Sequence, residues 1–243
     1  MTPKRHRRLI KTRRTLTGVL LVVAISFVAG MTDAVGFTLT GNFVSFMTGN
    51  TTRAAIAFGT GDTTNGLILI AAIFTFITGN ALGIVIANAA DRHRAFVVMS
   101  CVSLTLSLAS VFTAEGLLQV QYYLVVLAMG LVNATVEHVE GLPIGLTYVT
   151  GALSRFGRGI GRFLIGDRDV GWTIQIVPWI GMICGALIGG VLAHRMGASA
   201  LWLSALSALL VAFAMMLIPR PLRRRFNHRI GPPRKDRPYP VRG

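Results

Sequence analysis

Long apolar runs separated by short polar stretches make up most of this chain. Five runs are long enough, or nearly so, to cross a bilayer: Leu16 to Ala34, Leu67 to Ala90, Ala95 to Phe112, Ile174 to Ala193 and Ala198 to Ile218. A sixth, Leu117 to Val136, is interrupted by Gln119 and Gln121. About 20 helical residues cross the roughly 30 Å hydrocarbon layer. The pattern therefore predicts an all-α integral membrane protein of six transmembrane helices, with no room for a soluble catalytic domain.

Two segments are too polar for lipid and too apolar for an ordinary loop. One runs from Thr40 through Asn42, Thr48, Gly49, Asn50 and Arg53 to Phe58. The other runs from Gly141 through Pro143, Thr147, Tyr148, Thr150 and Gly151 to Arg155. Irregular backbone at membrane depth survives only when buried in protein or lining water. Glycine permits the unusual backbone angles, and Thr and Asn side chains satisfy the freed groups. Each segment is expected to re-enter the bundle, the alternative being an amphipathic helix at the interface.

The chain also repeats itself. Gly30-Met-Thr-Asp33-Ala34 followed by Met47-Thr48-Gly49-Asn50-Thr-Thr-Arg53 is echoed by Gly130-Leu-Val-Asn133-Ala134 followed by Val149-Thr150-Gly151-Ala-Leu-Ser-Arg155. The expected units are residues 16–113 and 117–218, between a basic tail at 1–15 and a Pro/Arg-rich tail at 219–243 that starts where Pro219 stops the last helix. Three spans per unit make the second unit enter from the opposite face, so the repeats should be inverted. Gly181, Gly185 and Gly189 on the fifth span match Gly79 and Gly83 on the second, and small residues four apart let helix backbones approach. A packed pair of the second and fifth spans is the expected consequence.

Composition agrees, with 53% hydrophobic and 14% charged residues against about 25% charged in soluble domains. A net charge of +15 would point to nucleic acid in a soluble protein. Here it is segregated into tails and loops. With six spans and both ends inside, only Arg53 and Arg195 of the basic residues fall outside, as the positive-inside rule requires. A seventh full span at 41–58 would invert every later loop and destroy that bias. Thr12-Arg13-Arg14-Thr15-Leu16 imitates a twin-arginine export signal but lacks a small-residue cleavage site, so it reads as an anchor of the first helix. The expected location is a bacterial inner membrane with both termini cytoplasmic.

Candidate chemistry centres on few residues. Asp33 lies 17 residues into the first run, and an intramembrane acid is a functional candidate by default. Glu137 and Glu140 follow Asn133 at the end of the fourth span and, three apart, share a helix face. Arg53 and Arg155 take equivalent places and are the natural partners of these acids or of a substrate anion. The competing reading makes the three acids simple markers of helix ends. Cys101 and Cys184 read as reduced packing residues. No metal or cofactor motif and no enzyme constellation occurs, and the five histidines are scattered.

Val28-Ala-Gly30-Met-Thr-Asp33-Ala34, Gly41-Asn-Phe43 to Met47-Thr-Gly-Asn50-Thr51, and Thr147-Tyr-Val-Thr-Gly151-Ala-Leu153 resemble the YoaK-type family of small bacterial inner-membrane proteins. The resemblance covers about residues 16 to 218 and implies a multi-pass membrane protein, with no activity to carry over. Asn133 stands where the first string has Asp33, and Ala152 where it has Asn50. That departure weighs against two equivalent acids.

The expected function is a secondary transporter or permease for a small, anionic or metabolite-like solute, coupled to protons. The alternative is a non-transporting scaffold or regulator that binds a partner or lipid. Catalysis is the weakest class. Expected partners are the bilayer, the solute and anionic headgroups at the tails. Nucleic acid is excluded, and a homo-oligomer stays open.

Overall fold

The computed structural model describes residues 3–90, 93–113, 117–135, 138–139, 142–143 and 149–217. The acidic turn expected at 114–116 and the C-terminal tail lie outside them. The described residues form eight α-helices: α1 Pro3–Thr40, α2 Met47–Gly59, α3 Thr63–Ala89, α4 Arg94–Ala109, α5 Leu118–Asn133, α6 Val149–Leu164, α7 Val177–Met196 and α8 Ala200–Leu217. A two-residue hairpin, β1 His138–Val139 with β2 Leu142–Pro143, lies between α5 and α6, and a 3-10 turn at Gly171–Ile176 leads into α7.

Among the described residues three segments are long and apolar enough to cross a membrane: Leu16–Thr40, Thr63–Ala89 and Gly171–Leu217. The last, of 47 residues, is divided by a turn at Gly197, whose φ of 57° suits glycine, so that α7 and α8 form two helices. The apolar helices α4 and α5 are shorter. Outward faces are as apolar as inward ones, with Phe74 and Val85 on α3, Leu104 on α4, Leu187 on α7 and Leu210 on α8 all exposed. A helix that is hydrophobic all round belongs in lipid.

The first helix departs from expectation at both ends. It begins at Pro3, so the basic tail is continuous with it, and it runs six residues past Ala34 to Thr40. Thr38 and Thr40 allow the extension by turning their hydroxyls back onto Ala34 O and Gly36 O, at 2.8 Å each. Gly41 ends it: its φ is 68° and its amide donates to Phe37 O at 2.8 Å. By contrast α2, at 13 residues, is about 20 Å long and too short to span.

Helix pairing corrects the expected contact between the second and fifth spans. The two glycine-striped helices, α3 and α7, do not pack on each other; α7 packs on α1 and α3 on α5. Gly181, Gly185 and Gly189 receive the carbonyls of Val23, Phe27 and Met31, while Gly30 of α1 lies against the Met182 carbonyl. In the second pair Gly79 meets the Leu127 carbonyl, Gly83 meets Leu131 and Ala134, and Gly130 of α5 meets the Phe76 carbonyl. At each crossing the partner helix adds a glycine of its own, Gly30 on α1 and Gly130 on α5, so the close approach is two-sided. α4 packs on α8, where Ser103 Oγ donates to Ala205 O at 2.8 Å, and Gln121 Nε2 of α5 donates to Ala109 O of α4 at 3.0 Å. The core between them holds Ile25, Val28 and Val35 of α1, Met99 and Leu106 of α4, Val126 and Met129 of α5, and Leu201 of α8.

Candidate functional site at the turn after the first helix

Asp33 lies one to two turns before the end of α1 and half-buried. Its Oδ1 accepts the backbone amides of Val44, at 3.2 Å, and Ser45, at 2.9 Å. Those amides belong to the non-helical residues 41–46 that join α1 to α2. No intrahelical acceptor exists for them, and burial without a partner costs about 1–3 kcal/mol per group. The carboxylate thus fastens the turn to the helix that precedes it.

The next polar node is the Phe43 carbonyl. Asn50 Nδ2, from the first turn of α2, donates to it at 2.7 Å, and the Tyr122 hydroxyl, from α5, donates at 3.1 Å. Asn50 and Tyr122 are also 3.5 Å apart. Asn50 is fully buried, and its Oδ1 has no hydrogen-bond partner among the described residues. Beside the node, the Phe37 and Phe43 rings stack at 4.8 Å and Phe46 meets Phe43 edge-on at 5.3 Å. Gly49 is glycine because a Cβ there would enter the Phe46 ring.

Arg53 is not the partner of Asp33. Its Nη1 donates to Gly41 O at 2.7 Å and so satisfies a carbonyl left open where α1 ends. Arg155 is likewise turned to a neutral group, its Nε donating to Gln175 Oε1 at 2.9 Å. Both arginines thus reach neutral oxygens, at Gly41 and Gln175, while the expected partners Glu137 and Glu140 lie outside the described residues.

The structure therefore unites Asp33, Gly49, Asn50 and Arg53 around one turn. Asn42 borders it, its amide 3.3 Å from Thr40 Oγ1, while the Thr48 side chain is exposed. The second string is elsewhere: Thr150, Gly151 and Arg155 lie on α6, which does not pack on α2. Asn133 ends α5 and bonds Met129 O at 3.3 Å. Glu137, Glu140, Thr147 and Tyr148 lie outside the described residues. Sequence reading passed over Tyr122, Ser45 and Gln175. A tyrosine or glutamine inside an apolar helix requires a polar partner, and that was the available signal for Tyr122 and Gln175. Ser45 reaches Asp33 through its side chain as well as its backbone amide, and only the backbone part leaves no trace in the sequence.

Residues 21–214, which include this turn and both helix pairs, match the family described as Protein of unknown function (DUF1275). The chain belongs to that family. It is also 51% identical over 226 residues to the UPF0700 transmembrane protein RA0705 of Rhizobium meliloti (strain 1021), covering 93% of this chain and 98% of that one. No solved structure matches. Together with the apolar helices, the relative bears out the membrane-protein part of the family resemblance.

Proposed function

We propose that this chain is a secondary transporter or permease for a small solute, built as two inverted three-span units in a bacterial inner membrane with both termini cytoplasmic. The observation that carries the reading is the pairing of helices. Among the six longer apolar helices, exchanging α1 with α5, α3 with α7 and α4 with α8 turns each main contact into another: α1 on α7 becomes α5 on α3, α4 on α5 becomes α8 on α1, and α4 on α8 returns to itself. A contact pattern preserved under that exchange is what a two-fold relation between units 16–113 and 117–218 produces, and inverted repeats with a site at their interface are a recurrent transporter design.

On this reading α1, α3, α4, α5, α7 and α8 are the spans, and α2 and α6 are the shorter pieces that differ between the units. Solute and proton meet the chain at the α1–α2 turn, where Asn50 Oδ1 is buried without using its acceptor capacity and Asp33 carries the only acid of α1. An acceptor left open inside the bundle costs stability, and a solute or water donor there offsets it. Protonation of Asp33 weakens its hold on Val44 and Ser45, which couples proton uptake to release of the turn. No catalytic chemistry is invoked.

The decisive experiment is uptake by proteoliposomes challenged with a panel of small metabolites under an imposed pH gradient. Gradient-driven uptake that Asp33→Asn abolishes, with insertion intact, supports the reading. Normal uptake by both Asp33→Asn and Arg53→Ala removes the site from the mechanism. One observation favours the scaffold reading: Asp33, Arg53 and Tyr122 each bond to backbone of the same turn. An absence of uptake and of proton flux across the whole panel decides for the scaffold.

A further inference from the structure

α6 presents a surface that the transport reading does not use. Plotted at helical phase, Val149, Leu153, Phe156, Ile160, Phe163 and Leu164 fall along one side, and Arg155, Arg158 and Arg162 along the opposite one. A narrow stripe between them touches protein. Ala152 and Gly159 are buried there, and Gly159 lacks a side chain because the Trp172 indole lies across it. Phe156 meets Trp172 edge-on at 5.2 Å, and Arg155 is held by Gln175. Beyond that stripe, Leu153, Ile160 and Leu164 are exposed on one flank, and Arg158 and Arg162 on the other.

No acid occurs in Val149–Leu164. The nearest ones, Asp167 and Asp169, accept the amides of Asp169 and Gly171 in their own turn, at 3.0 Å each. Among the described residues both open faces therefore lack an internal counterpart, one in apolar area and the other in negative charge. A single partner supplies both, namely the interface of an anionic bilayer, with acyl chains on one side and phosphates on the other. Trp172 and Trp179 stand at the same end, as aromatic residues do at headgroup level. α2 offers no such surface, since its one arginine is committed to Gly41.

We propose that α6 lies in the headgroup layer of an anionic leaflet, with its Leu153–Ile160–Leu164 face in the acyl region and Arg158 and Arg162 binding phospholipid phosphates. The assignment is independent of whether the chain transports anything.

The test uses the full chain carrying Trp179→Phe and Trp202→Phe, which leaves Trp172 as the only indole. It is reconstituted in phosphatidylcholine vesicles containing brominated phosphatidylcholine or brominated phosphatidylglycerol at equal mole fraction. Quenching of Trp172 is expected to be at least twofold stronger with the brominated anionic lipid. Arg158→Gln with Arg162→Gln should bring the two lipids level while leaving quenching by brominated phosphatidylcholine unchanged, which shows that the helix still sits at its depth. Equal quenching in the parent, or an anionic preference that survives loss of both arginines, overturns the proposal. So does a lack of quenching by either lipid.

Discussion

The amide of Ser45 donates to Asp33 Oδ1 at 2.9 Å, twelve residues along the chain and across the break between α1 and α2. With Val44 donating to the same oxygen, the carboxylate is a clasp between the end of α1 and the start of α2. Asp33→Asn keeps an acceptor but loses the charge, and charge-assisted bonds are about twice as strong as neutral ones. Asp33→Ala leaves both amides open. We expect the alanine variant to lose about 2–4 kcal/mol and the asparagine variant about 1 kcal/mol, seen as ordered drops in thermal unfolding temperature in detergent. Equal losses would place the carboxylate's contribution elsewhere.

Asn50 and Tyr122 both serve the Phe43 carbonyl, so their substitutions should not add. Tyr122→Phe or Asn50→Ala alone leaves one donor in place, at a cost of about 1 kcal/mol each in hydrogen bonding. Removing both strands a buried carbonyl, and the double variant should fall further than the sum of the single effects. A double-mutant cycle on unfolding temperature reads this directly.

Arg53 satisfies Gly41 at the surface of the same turn. Arg53→Ala is expected to cost under about 1 kcal/mol, because water replaces the guanidinium. Its effect should add to that of Asp33→Asn, since the two side chains hold different backbone groups. Strong coupling between them in unfolding experiments would point to a direct interaction.

The glycine contacts predict a sharp contrast along one helix. A side chain at Gly185 would overlap the backbone of Phe27, which cannot give way, whereas Gly190 faces open space. Gly185→Val should abolish monodisperse protein in size-exclusion chromatography, and Gly190→Ala should leave it unaffected. Gly83→Val, in the α3–α5 pair, should fail as Gly185→Val does, because Ala134 and Leu131 already occupy that groove.

Topology is testable with reporter fusions. Six spans with both ends inside put the exposed turn at Gly61 outside and the exposed turn at Gly166 inside. Fusions at the two positions should report opposite sides. A common side would remove the inverted arrangement.

What the sequence by itself determined is set by terms that act residue by residue. Transfer of apolar side chains out of water fixes where the long helices lie, so runs such as Leu67–Ala90 and Ala198–Ile218 reappear as α3 and α8 almost residue for residue. The stripes Gly79–Gly83 and Gly181–Gly185–Gly189 also marked close helix approach, since a missing side chain is visible in one dimension. The tertiary structure alone decided which helices meet. The glycine stripes of α3 and α7 looked like partners for each other, but a stripe specifies close approach and not its partner, and α1 and α5 took the places. It also decided what Asp33 and Arg53 do. Their charges suggested a pair, yet the unpaired amides and carbonyls of the turn between α1 and α2 lay nearer, and a buried backbone group without a partner is the costlier omission. Backbone groups are the same at every residue, so no reading of side chains shows where they come free; only the folded turn does.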